Sequence, residues 1–281
     1  MEERTTIPQS KATLLAGAVK AWHIVFIFFV AWSVGIVGGF KATQGVNADT
    51  RELIQHLAIQ AIVAAILLAF TAIVPELRRS LALFFTRPSR PVNVSDMAWT
   101  FAAMMCWGYG IYRVAVCLPI AWFDAPFRHH FLAEFLPPFE WRYLVLLTGG
   151  IAFAPLAEEL FFRGYLLNLW IPRWGRVGAL LLSSIVFGLF HWQNAIFAAP
   201  LGFAFGLVYL RYDSLWPGVA LHAMYNLFAF PWIFGGLFYV RPRAATYQLS
   251  MWAPEIVVSL LAIPVIAVFL RRFWPASPAS R

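Results

Sequence analysis

Charge is scarce in this chain. Asp, Glu, Lys and Arg make up 12% of its 281 residues, about half the share of a soluble domain. Lysine is rarer still: of 21 basic residues only Lys11, Lys20 and Lys41 are lysines. The two cysteines, Cys106 and Cys117, fall in one apolar run. That excludes a disulfide framework and a cysteine-based metal site, so both read as small buried hydrophobes. No His-Glu-x-x-His occurs, so the strongest zinc signature is missing. No internal repeat is evident. Ser183 and Ser184 stand before His191, but no motif marks them as nucleophiles.

Apolar residues fill the space that charge leaves. They make up 61% of the sequence, and the mean hydropathy is +0.72. Several runs approach the roughly 20 residues that cross a bilayer. The reading is an all-α, polytopic transmembrane helical bundle of about eight spanning helices. The expected spans are 22–40, 57–74, 97–122, 143–170, 178–191, 195–210, 216–240 and 255–269. Residues 1–21 form an N-terminal segment, 22–273 one membrane domain and 274–281 a tail. No length remains for a separate soluble domain.

Punctuation between the runs sets finer expectations. The Gly-rich stretch 38–52 reads as a loop. Pro75 ends the second helix, and 76–96 reads as a basic connection. Arg113 lies deep in the third span, facing the bundle or snorkelling. His129 and His130 sit in a polar loop over 124–140 and read as solvated. Pro155 predicts a kink. Arg173-Trp174-Gly175-Arg176 reads as a tight turn. Gly202 and Gly206 form a Gly-xxx-Gly pair suited to close helix approach.

The net charge of +8 belongs mainly to residues between spans. It therefore speaks for membrane topology and anionic lipid, with no nucleic-acid partner. With eight spans the two termini share a side. Thirteen basic residues then fall on that side and six on the other. The positive-inside rule places both termini in the cytoplasm. The bias toward arginine, alanine and tryptophan fits a GC-rich bacterium and its cytoplasmic membrane.

Polar residues inside apolar runs are costly and mark functional sites by default. Glu158 and Glu159 are adjacent within such a run, with Arg163 four residues on. On a helix Glu159 and Arg163 can meet, while Glu158 points about 100° away. Glu159 is thereby neutralised, and Glu158 is left to act as a base. His191 ends the next run, four residues after Phe187. His222 and Asn226 share one face of the seventh helix.

Each group has a plain structural alternative: a helix-locking ion pair, a helix cap, an interhelical hydrogen bond. Together they suit amide hydrolysis. Glu158 deprotonates water, His191 positions it or donates a proton, and His222 with Asn226 stabilises an oxyanion. Glu158, His191 and His222 would also serve as zinc ligands. One geometric demand follows. By helix rise, His191 lies roughly 20 Å from the inner end of its span and Glu158 roughly 8 Å from its own. The helices must tilt or depart from regularity for the two to meet.

The ordered set Glu-Glu-x-x-x-Arg, Phe-x-x-x-His and His-x-x-x-Asn resembles the CPBP family. That family holds type II CAAX prenyl endopeptidases and bacteriocin-processing or immunity relatives. The resemblance covers about residues 143–230 and rests on Glu158, Glu159, Arg163, Phe187, His191, His222 and Asn226. It implies an eight-helix intramembrane protease. In it Glu158 activates water while both histidines and Asn226 assist; Glu159, Arg163 and Phe187 support them. No cofactor is favoured over zinc-free chemistry, and zinc is the competing description. The implied substrate is a membrane-embedded or lipid-anchored protein or peptide cut near its C-terminus. Two other classes stay open: an ion-coupled transporter that relays protons through the carboxylates, and a non-catalytic immunity protein.

Overall fold

Apolar length becomes helix throughout. The computed structural model describes residues 11, 15, 20–45, 48–117, 119, 148–191, 194–229 and 253–275. The helices are α1 (Ala21–Ala42), α2 (Ala48–Ile73), α3 (Pro75–Phe84), α4 (Val94–Met105), α5 (Ala154–Glu159), α6 (Asn168–Phe190), α7 (Ala195–Tyr212), α8 (Leu215–Ala229) and α9 (Ala253–Phe273). Wider π-helical turns run over Cys106–Ile111, Arg113–Cys117, Gly149–Phe153 and Leu160–Leu167. No strand occurs among the described residues, so the all-α expectation holds. Cys106 is free. The side chain of Cys117, the loop with His129 and His130, and Arg241 to Arg243 lie outside the described residues.

The expected count of eight spans is approximate. Among the described residues, Trp22–Ala42, Gly149–Phe190, Ala195–Tyr212 and Glu255–Phe273 are each long and apolar enough to cross a membrane. Ala58–Ile73 and Pro75–Phe84 form a fifth candidate, bent by 113°. The 42-residue stretch is itself two passes. Gly175 breaks it with φ 68° and ψ 174°, a conformation that glycine adopts without a Cβ clash. Phe162 then meets Phe187 with ring centroids 4.9 Å apart, and Phe161 meets Phe190 at 6.1 Å. Both pairs lie symmetrically about Gly175. The chain therefore reverses where the turn was expected.

Two expectations need correction. Residues 38–42 are not loop: α1 continues to Ala42, and α2 begins at Ala48. Their glycines serve contact instead. A Cβ on Gly39 would lie 3.1 Å from the Gln55 carbonyl oxygen, and one on Gly35 3.1 Å from that of Ile59. The turn itself is at Gly45, with φ 82°. The connection over 76–96 is likewise partly helical. Pro75 ends α2 and also begins α3, because a proline needs no N–H partner in a first turn. Helix α3 buries Leu77, Ser80 and Phe84 and leaves Arg78 and Arg79 exposed, the pattern of a helix lying along a surface.

The Gly-xxx-Gly pair packs α7 onto α6 as expected. A Cβ on Gly202 would stand 2.9 Å from Phe187 Cδ1. Gly202→Ala should thus cost about 1–3 kcal/mol through overpacking, read as a lower unfolding midpoint in detergent. A midpoint equal to wild type would show that Phe187 yields freely.

Two ion clusters join α4 and its π-helical continuation to α9, which runs antiparallel. At one end buried Asp96 accepts from Arg211 Nε at 2.9 Å, Arg272 Nη1 at 3.1 Å and the Tyr212 hydroxyl at 3.1 Å. At the other, Arg113 Nη1 reaches Glu255 Oε1 at 3.3 Å. Arg113 therefore faces the bundle. Each helix has its two charges 17 residues apart, about 26 Å along a helix, which approaches the thickness of a hydrocarbon core.

The Asp96 end also gathers the connections. Ser89 N–H donates to the Tyr212 carbonyl at 2.8 Å, and Ser214 Oγ to that of Thr86 at 2.8 Å. Arg176 Nη2 donates to the Leu210 carbonyl at 2.8 Å, and Lys11 pairs with Asp213 at 3.0 Å. The segments assigned to one side from basic-residue counting do share one end of the molecule. The apolar spans make this an integral membrane protein.

Candidate active site

The helix that carries the paired carboxylates is wound unevenly. It is π-helical over Gly149–Phe153, α-helical over Ala154–Glu159 and π-helical again over Leu160–Leu167. Pro155 has no N–H to give to the ladder. It lies where the first π-helical turn gives way to α5. π-helical winding of this kind concentrates at functional sites.

The depth problem posed by the sequence disappears in the hairpin. Glu158 stands 17 residues before Gly175 and His191 16 residues after it. Folding at Gly175 brings them level. Glu158 Oε2 lies 3.8 Å from His191 Nε2 and 3.8 Å from His222 Nε2. Thus α5, α6 and α8 deliver one side chain each to a single point. Glu158 is 8% exposed and His222 4%. His191 is more open, with 34% of its side chain accessible.

The far nitrogens of both imidazoles are engaged. His191 Nδ1 is 2.8 Å from the Phe187 carbonyl oxygen. A carbonyl only accepts, so Nδ1 carries the hydrogen, and in the neutral ring Nε2 presents a lone pair to Glu158. His222 Nδ1 lies 3.0 Å from Glu159 Oε1 and is oriented in the same way by a carboxylate. Three lone pairs thus converge: one from Glu158 and one from each ring. The separations exceed a direct hydrogen bond, which leaves room for one small donor between them.

Glu159 is held from several sides and is fully buried. Arg163 Nη1 is 3.1 Å from its Oε1, the i,i+4 pair that the sequence predicts. Gly218 of α8 permits the close approach, since a Cβ there would lie 3.3 Å from Glu159 Oε2. Arg163, 1% exposed, also donates from Nη2 to the Gly202 carbonyl at 2.7 Å. Its guanidinium lies over the rings of Phe187 at 4.6 Å, Phe205 at 5.4 Å and Phe162 at 5.7 Å. Aromatic faces of this kind stabilise a desolvated cation.

Phe187 underlies the whole arrangement, 4.4 Å from the His191 ring and 6.1 Å from that of His222. Asn226 Nδ2 donates to the Gly150 carbonyl at 2.8 Å, which ties α8 to the π-helical turn before α5. Six of the seven residues singled out in the sequence are therefore in mutual contact, while Asn226 is held to the turn before α5. The sequence gives no signal for three further members. Phe205 stacks on His222 at 4.3 Å and 18°. Gly218 and the Gly150 carbonyl act through backbone position alone.

No solved structure matches this chain. A stretch of 87 residues is 28% identical to "Putative membrane peptidase YdiL" of Bacillus subtilis (strain 168), covering 30% of this chain and 35% of that protein. The chain thus matches only about a third of that relative's length. The resemblance carried by the motifs holds at the level of the family: residues 140–228, which contain all seven side chains of the site, match the model of the Rce1-like type II CAAX prenyl endopeptidases.

Proposed function

We propose that this protein is an intramembrane endopeptidase that hydrolyses a peptide bond in a membrane-embedded or lipid-anchored protein or peptide, near its C-terminus. The observation that carries the proposal is the pair of 3.8 Å separations from Glu158 Oε2 to the two Nε2 atoms. A water at this point gives one hydrogen to Glu158 Oε2 and the other to His191 Nε2, with Glu158 placed to remove its proton.

Charge balance supports the same division of labour. With both imidazoles neutral, Glu158, Glu159 and Arg163 sum to one negative charge. An uncompensated buried charge is costly, and one added proton brings the set to zero. On His222 Nε2, opposite Glu159, that proton makes the ring a donor. Glu158 then takes a proton from water as the water oxygen bonds to the substrate carbonyl carbon. His222 Nε2–H and the second amide hydrogen of Asn226 stabilise the oxyanion. When the C–N bond breaks, the proton taken up by Glu158 passes to the leaving amine, directly or by way of His191 Nε2.

The convergence of a carboxylate and two imidazoles also favours a second reading. Zinc takes such ligands, and the hydrogen bonds at both Nδ1 atoms are of the kind that orient metal-bound histidines. Glu158, His191 and His222 would hold the ion, which when bound would polarise the carbonyl and acidify water. The 3.8 Å spacings fall between the roughly 3.3 Å of ligands about a tetrahedral ion and the roughly 4.6 Å of partners about one water, and so favour neither occupant.

The test is mass spectrometry of peptides released from co-expressed membrane substrates in the wild-type protein's bacterial host. Discrete C-terminal fragments that vanish with Glu158→Gln are expected. Fragments that persist in that variant would sink the proposal. Full activity after exhaustive chelation, with no zinc by elemental analysis, separates the two chemistries. Cell protection by the Glu158→Gln protein would instead indicate a binding role.

A further inference from the structure

A second concave feature lies outside the site, on the lipid-facing side between α1 and the 149–190 hairpin. It is a groove of about 910 Å³, within the roughly 300–1,000 Å³ of small-molecule sites. Lys20, Arg173, Trp22, Trp174, Phe29 and Phe190 are among the residues that line it. Trp22, Phe29 and Trp174 are more than half exposed, and Arg173 lies 5.3 Å over the ring of Trp174. Among the described residues neither Lys20 nor Arg173 has a carboxylate partner.

We infer that this groove binds one anionic phospholipid, with its phosphodiester headgroup on Lys20 and Arg173 and an acyl chain along Phe29 toward Phe190. The chemistry of the lining selects the occupant. Lys20 begins α1, and Arg173 precedes the hairpin break at the end where the basic connections gather. Tryptophan beside basic residues is the composition of a membrane–water interface, and basic pockets between spans hold anionic headgroups. From Lys20, Phe29 lies about 13 Å deeper along α1, where only hydrocarbon is found. A zwitterionic headgroup would bring its own cation against Lys20 and Arg173. A second copy of this chain would oppose the same two cations to each other. An amphiphile with an anionic head and an apolar tail meets neither conflict. Its tail ends at Phe190, one residue from His191.

The experiment is native mass spectrometry of the full chain in detergent, titrated separately with phosphatidylglycerol and phosphatidylcholine. Two cationic contacts predict a preference of about 30-fold for phosphatidylglycerol. The double variant Lys20→Gln/Arg173→Gln should lose that preference, with elution and thermal unfolding unchanged because both residues are exposed. The control Arg78→Gln/Arg79→Gln removes the same charge from exposed α3 and should keep the preference. Equal binding of the two lipids by the wild-type protein overturns the inference. So does equal loss in the control, which would assign the preference to overall charge. Displacement of the adduct by inorganic phosphate would also overturn it, by showing that the acyl chain contributes nothing.

Discussion

Glu158→Gln abolishes peptide-bond cleavage while the protein inserts, elutes and unfolds as wild type. Glutamine keeps the volume of the side chain, so packing between α5, α6 and α8 is preserved. It cannot accept the proton from water, and general-base catalysis is worth roughly 10²–10⁴-fold in rate. Single-turnover assays on purified protein check this, and an undiminished rate would falsify the assignment of the base. His191→Ala and His222→Ala remove activity by different routes. His191 is partly open, and its loss spares the fold. His222 is buried against Glu159, so its loss also lowers the unfolding midpoint.

Arg163→Met is expected to be the most destabilising change in the molecule. Glu159 loses its cation at zero exposure, and the Gly202 carbonyl loses a donor. Breaking one side of a buried ion pair costs about 3–5 kcal/mol. Unfolding in mixed micelles should register it. Glu159→Gln should reduce activity less than Glu158→Gln, acting through stability. The double variant Glu159→Gln/Arg163→Met removes both charges and should recover much of the loss, because residues in one network are not additive. A double variant as unstable as Arg163→Met alone would show that the pair's charges are not what matters.

Much of this site is legible in the sequence because water-avoiding runs make every polar residue conspicuous. Glu158, Glu159, His191, His222 and Asn226 stand out against their neighbours for that reason alone. The Glu159–Arg163 pair follows from helical spacing, and the turn at Gly175 from its basic, glycine-containing surroundings. The rest depends on information that apolar periodicity does not carry. The π-helical winding around Glu158 leaves no compositional trace. Gly38 and Gly39 look like loop glycines, although they serve close helix contact. Pro75 reads as a stop, whereas its missing N–H also suits a start. Phe205 is one of 27 phenylalanines, and nothing distinguishes it before His222 stacks on it. Asp96 is the plainest omission: its partners Arg211, Tyr212 and Arg272 lie more than a hundred residues away.

The Arg113–Glu255 pair has a consequence for how the chain is made. Its partners are 142 residues apart, so the guanidinium emerges from the ribosome long before its carboxylate. During that interval the segment that bears Arg113 lacks this one contact to the later helix. That contact closes only when Ala253–Phe273 packs against the earlier segment that bears Arg113.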